Sequence, residues 1–99
     1  MNFLLLLFFF FSPTIPVHTD VVKGIVYDRE GIMPSVIVTE LGTDDKNKVY
    51  TNSRGEFEIK TLTERPVLEF TFVGYASKRI KIKDEQFVKV KLRQDLLKE

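Results

Sequence analysis

The chain has 99 residues, of which 43% are hydrophobic and 29% charged, with 15 lysines and arginines against 14 acids for a net charge of +1. That length accommodates one domain and excludes a two-domain enzyme, and the near-balance of charge argues neither for a nucleic-acid binder nor for an acidic tail. Cysteine is absent, which removes disulfides, thiolate chemistry, cysteine zinc sites and an acylated lipoprotein cysteine.

The first nineteen residues belong to a different physical regime. Phe3 to Phe11 is an unbroken run of Phe and Leu holding five of the nine phenylalanines. It is about half the length that crosses a bilayer core as a helix. It ends at Ser12-Pro13, with a second proline at Pro16. This is the shape of a signal-peptide core. It predicts a signal peptide over 1–19, a mature domain over 20–93, a short tail over 94–99 and no transmembrane span in the mature chain. The flanks depart from the usual pattern: Met1-Asn2 carries only the terminal amine, and Val17 and Thr19 stand where smaller residues are usual. A buried strand is a poor reading, because the run has no polar alternation and two prolines follow it. About 80 residues then remain, close to the size at which one core only just stabilises a fold.

From Val21 onward the pattern has period two. Val22, Gly24 and Val26 share one face of a first strand, and Asp28-Arg29-Glu30-Gly31 supplies turn chemistry. Pro34 opens a second strand in which Val36 and Val38 alternate with Ile37 and Thr39. The polar stretch from Gly42 to Lys48 reads as a loop. Val49 to Asn52 and Glu56 to Lys60 read as a hairpin closed around Ser53-Arg54-Gly55, with Phe57 and Ile59 facing inward. Leu68, Phe70 and Phe72 mark the most apolar strand. Then Ile80 and Ile82 face one way and Arg79, Lys81 and Lys83 the other. After Asp84-Glu85-Gln86, Val88, Val90 and Leu92 turn inward while Lys89, Lys91 and Arg93 turn outward. Seven short strands about ten residues apart predict an all-β, seven-stranded antiparallel β-sandwich.

Several segments together carry a resemblance: Val22 to Asp28, Gly31, Pro34 to Val38, Gly42-Thr43, Thr51 to Ile59 and Phe70-Thr71-Phe72-Val73-Gly74-Tyr75. Over Val21 to about Leu92 the chain resembles the carboxypeptidase regulatory-like domain, a transthyretin-like (prealbumin-like), Ig-like sandwich. It departs at turns: Ser35 stands for the usual glycine after the proline, Lys48 for a usual glycine, and Asn52 for the usual aspartate. The resemblance implies an exported domain, periplasmic or outer-membrane associated in a Gram-negative bacterium. In Bacteroidota such domains commonly precede the plug and barrel of TonB-dependent outer-membrane receptors. The stretch Leu92 to Glu99 is similar to the start of the segment that leads toward the TonB-contacting box. The expected role is therefore a non-catalytic accessory domain of TonB-dependent nutrient uptake, detached from a receptor or left by a truncated one. The expected partner is such a receptor or another periplasmic protein.

No constellation for catalysis stands out. His18, the single histidine, falls in the predicted leader, so the mature domain lacks the usual proton relay. The transthyretin-like hydrolase reading would need several histidines and a tyrosine-rich C-terminus. Asp44, Asp45 and Asn47 offer hard oxygens without the spacing of a calcium loop and read as turn formers. No metal or other cofactor is expected. Gly24, Gly31, Gly55, Gly74 and Tyr75 read as turn and corner residues, with the Tyr75 ring packed on the sandwich and its hydroxyl capping a backbone group.

Charge is distributed unevenly. Residues 78–93 hold seven cations against two acids, whereas residues 20–77 hold seven against ten. If the last two strands form a hairpin, Arg79, Lys81, Lys83, Lys89, Lys91 and Arg93 share one outer face. That face would suit an anionic lipid surface, an acidic glycan or an acidic protein. The alternative function is accordingly a free-standing binding or adhesion module that recognises a glycan or protein through this face or a sheet edge. A solvated face whose lysines discourage edge aggregation explains the same residues without a partner. Nucleic acid is not an expected partner, because the face has no stacking aromatics.

Overall fold

The computed structural model describes residues 20–84 and 87–95. The predicted leader with His18, and residues 85–86 and 96–99, lie outside the described residues. The described residues form eight strands in chain order: β1 (Asp20–Asp28), β2 (Gly31–Ile32), β3 (Ile37–Glu40), β4 (Lys48–Tyr50), β5 (Glu56–Thr61), β6 (Val67–Thr71), β7 (Lys78–Lys81) and β8 (Phe87–Lys91). The seven expected strands are all present, and the eighth is the two-residue β2, too short to leave a period-two signature. In the first sheet β1 lies between β5 and β8, with β2 added at its far end. The second sheet has the order β4-β3-β6-β7.

All pairings are antiparallel except one. β8 runs parallel to β1, with Lys23 opposite Phe87 and Tyr27 opposite Lys91. Alternation sets the faces: Val22, Gly24 and Val26 of β1, Phe57 and Ile59 of β5, and Val88 and Val90 of β8 are buried. They meet Val38, Leu68 and Phe70 of the second sheet in one hydrophobic core. The Phe57 ring stands edge-on to Phe70 at 5.4 Å between centroids, joining the sheets. Burying a side chain of this size stabilises by about 1.5–3 kcal/mol, so the core outweighs any surface ion pair.

The expected β4–β5 hairpin does not form. Only its turn closes, with Asn52 N donating to Glu56 O and Gly55 N to Asn52 O, both at 2.9 Å. β4 then pairs with β3, while β5 pairs with β1. Two anchors pull the strands apart. Thr51 is buried; its N–H donates to Val36 O at 3.0 Å and its hydroxyl accepts from Val36 N at 2.9 Å, which continues the β4–β3 pairing and ties that side to the second sheet. Gly55 O accepts from Val26 N at 2.8 Å, tying the other side to the first. Asn52 does the work of the usual aspartate, because its Oδ1 accepts from Arg54 N and Glu56 N. Gly55 has φ 74°, and a Cβ there would lie 2.8 Å from Val26 O, so both backbone shape and space demand glycine.

Ser35 sits at φ 66°, the left-handed region that glycine occupies freely. The glycine usual here therefore has a conformational reason. Ser35→Gly is expected to raise stability by about 0.5 kcal/mol, since relief of left-handed strain of about 1–2 kcal/mol outweighs the added freedom of the unfolded chain. Urea denaturation checks this, and a lower midpoint would show the serine to be unstrained.

Candidate functional site

The last two strands do not form a hairpin, which corrects the expected single basic face. β7 pairs with β6 in the second sheet and β8 with β1 in the first, so the two strands lie in different sheets. Alternation then turns Arg79 and Lys81 outward from the second sheet and Lys89 and Lys91 outward from the first. Lys83 lies on the connecting loop and Arg93 just after β8. The cations therefore form a rim along one open side of the sandwich. At one end Lys78 Nζ donates to Lys91 O at 3.3 Å, and Ala76 N donates to Arg93 O at 2.9 Å. Arg79 is partly neutralised by Glu69 at 3.1 Å, an exposed pair that adds at most about 1 kcal/mol. Lys81 and Lys83 line a surface cleft of about 540 Å³ with Arg65, Val67 and Ile82, and the acids Glu64 and Asp84 line it too.

A second cleft, of about 320 Å³, opens where the β1–β2 turn meets the residues after β8. Asp28, Arg29, Tyr75, Lys91 and Arg93 contribute to it. Tyr75 follows Gly74 at the corner after β6, with its ring edge-on to Phe72 at 5.6 Å. Its hydroxyl donates to Asp28 Oδ2 at 2.6 Å, a carboxylate instead of the expected backbone group. The other oxygen, Oδ1, accepts from Glu30 N and Gly31 N, closing the turn. The Tyr75 hydroxyl, helped by the Glu30 N–H, holds the Asp28 carboxyl below its ordinary pKa. The same hydrogen bond, together with burial, pushes the Tyr75 phenol up. Each shift moves its group away from neutrality, so the pair keeps its proton on Tyr75 across the physiological range. The bond locks β1 to the β6–β7 corner.

Residues 22–99 match the CarboxypepD_reg-like domain family. The chain belongs to this family. No curated protein matches it. Two solved structures share the fold of this carboxypeptidase-regulatory-like domain, both from type II cohesin-X-dockerin complexes of Acetivibrio cellulolyticus. An N-terminal interface mutant complex aligns at TM-score 0.62 and 16% identity, covering 76% of this chain and 58% of that one. A C-terminal interface mutant complex aligns at 0.60 and 17%, covering 74% and 56%. The chain thus spans little more than half the length of these neighbours, and at such identity the likeness is one of fold.

The domain also contains a polar knot that its sequence pattern does not announce. Glu40 is completely buried at the end of β3. Its Oε1 accepts from Leu62 N and Asn47 Nδ2, each at 2.8 Å. Its Oε2 accepts from Thr63 N at 3.0 Å and from the Thr63 hydroxyl at 2.5 Å. Burial pushes the Glu40 carboxyl up, yet the Thr63, Leu62 and Asn47 donors together outweigh it and bring the group below its ordinary pKa. Asn47 also donates to Lys60 O at 2.7 Å, so it faces the knot and not Asp44 and Asp45. Those two are exposed and left-handed, at φ 54° and 60°. Among the described residues no three or more His, Cys, Asp or Glu converge as a metal site.

Gly24 lies opposite both Phe57 and Val88, where the ring of one and the carbonyl of the other close over it. Gly31 begins β2, and Gly74 O accepts from Asp95 N at 2.8 Å. The three tyrosines do not assemble a sugar-stacking platform: Tyr27 is on β1, Tyr50 is exposed on β4, and Tyr75 is committed to Asp28. No helix among the described residues is long and apolar enough to cross a membrane.

Proposed function

We propose that this domain is an exported, non-catalytic interaction module whose basic rim binds an acidic surface of a TonB-dependent outer-membrane receptor. The observation that carries the reading is the gathering of Lys81, Lys89, Lys91 and Arg93, all exposed, along the one side where β7 and β8 leave both sheets open. Cations on two adjoining edges attract an acidic partner and steer its approach. Family membership supports an accessory role, and the solved neighbours come from protein complexes. Family membership supports the non-catalytic part as well, and the groups with displaced pKa values among the described residues, Asp28, Tyr75 and Glu40, are engaged in hydrogen bonds that join one segment of the fold to another.

A photo-crosslinking residue placed at Lys89 in cells of the source bacterium, with Glu58 on β5 as the control position, tests this. An adduct with a TonB-dependent receptor from position 89 and not from 58 is expected. The triple reversal Lys81→Glu, Lys89→Glu and Lys91→Glu, with the crosslinker moved to Arg93, should reduce that adduct at least about tenfold. Losing three attractions of roughly 0.5 kcal/mol each already amounts to that factor before repulsion is added. Equal adducts at 89 and 58, or an adduct insensitive to charge reversal, would sink the rim as the binding surface. An adduct with an unrelated acidic envelope protein would keep the rim and remove the receptor.

A further inference from the structure

β1 is the first described strand and β8 the last, and they are neighbours in one sheet. Their parallel direction puts Asp20, where β1 begins, at the opposite end of the pair from the residues that follow β8. Force applied between two such points slides one strand along the other. Every inter-strand hydrogen bond from Lys23–Phe87 to Tyr27–Lys91 then carries load at once. An antiparallel pair pulled from adjacent ends opens one bond at a time, and each bond meets the full force alone.

We propose that the fold is built to resist tension, because pulling between Asp20 and the residues after β8 loads the β1–β8 pair in shear. This resistance does not depend on the basic rim. Three features strengthen the pair. Val22, Val26, Val88, Val90 and Leu92 seal its inner side from water, which would otherwise replace breaking hydrogen bonds. The Phe57 ring covers the gap at Gly24 on the same side. β1 is also held from its other flank by β5, from Asp20–Thr61 to Ile25–Glu56, so it cannot follow β8 when pulled. Beyond the pair, Ala76 N to Arg93 O and Asp95 N to Gly74 O pin the outgoing chain to the β6–β7 corner. These two bonds peel singly and give way first; the β1–β8 pair sets the rupture force.

The chain has no cysteine, so paired cysteines give unique handles on the full-length protein in single-molecule pulling. One version carries Asp20→Cys and Asp95→Cys, which loads β1 against β8 in shear. The other carries Asp20→Cys and Leu62→Cys. Leu62 is exposed and follows Thr61, the β5 partner of Asp20, so this version peels β1 from β5 at its end. The three positions lie outside the core, and matching thermal melts establish that both versions share the same fold. The rupture force at equal loading rate is expected to be several-fold higher for the 20/95 version, with a short release preceding the main event. Equal forces, or a higher force for the 20/62 version, would overturn the proposal.

Discussion

Gly24→Ala is expected to destabilise the domain by about 3 kcal/mol and to lower its melting temperature by about 15 °C, the upper range for overpacking a filled core in a domain of this size. The methyl group would enter the contact shell of Val88 O and lie 2.6 Å from the Phe57 ring. Neither neighbour has room to yield. Moving the ring breaks its edge contact with Phe70, which joins the two sheets. Moving the carbonyl parts β8 from β1 along the parallel ladder. The adjacent exposed substitution Lys23→Ala should change stability by less than about 0.5 kcal/mol. Calorimetric melts of the two variants decide the matter, and equal melting temperatures would mean that β8 approaches β1 less closely than the structure shows.

Alternation made the faces of β1, β5, β6 and β8 legible in the sequence, because each has one buried side and the period of two leaves no choice of which side chains enter the core. Partners were less legible, for the same reason: the period states a face and not a neighbour. Ser53-Arg54-Gly55 has the composition of a hairpin turn and closes as one locally, yet Thr51 and Gly55 are claimed by opposite sheets. The short polar turn before Phe87 likewise suggested a hairpin. The partner of β8 is β1, at the other end of the described chain, and its Val-rich inner face carries no mark of that distance. Alternation therefore states that the strand cations point outward but not that they border two faces instead of one. Asp28 was legible as a turn former, since Gly31 follows at the spacing of such a turn. Nothing nearby in sequence announces its bond to Tyr75, 47 residues away.

Glu40 is the residue that local reading had least means to find, because a carboxylate continuing the inward series of Val36 and Val38 makes sense only once its donors are known. Leu62 N and Thr63 N come from 22 and 23 residues further on, at the turn between β5 and β6. Glu40→Ala is expected to lose about 4 kcal/mol, since it strands these N–H groups and the Asn47 amide and leaves a void beside them. That is most of the stability of a small domain. Glu40→Gln keeps the volume but turns an amide N–H₂ toward donors, and should lose about 2 kcal/mol at pH 7. The pH dependence identifies the charge as the cause. The folded-state pKa of Glu40 lies below the ordinary value of 4.5, so its contribution is full above that value and is lost as pH falls through the folded pKa. Asp28, also held low, adds a loss in the same direction, but it is common to wild type and variant. Urea denaturation of both from pH 7 downward should therefore show a constant gap above about pH 5 that narrows as the wild type takes up its proton. A gap that stays constant through this range would mean that Glu40 acts through shape alone, and that its charge contributes nothing to holding the β5–β6 turn against β3.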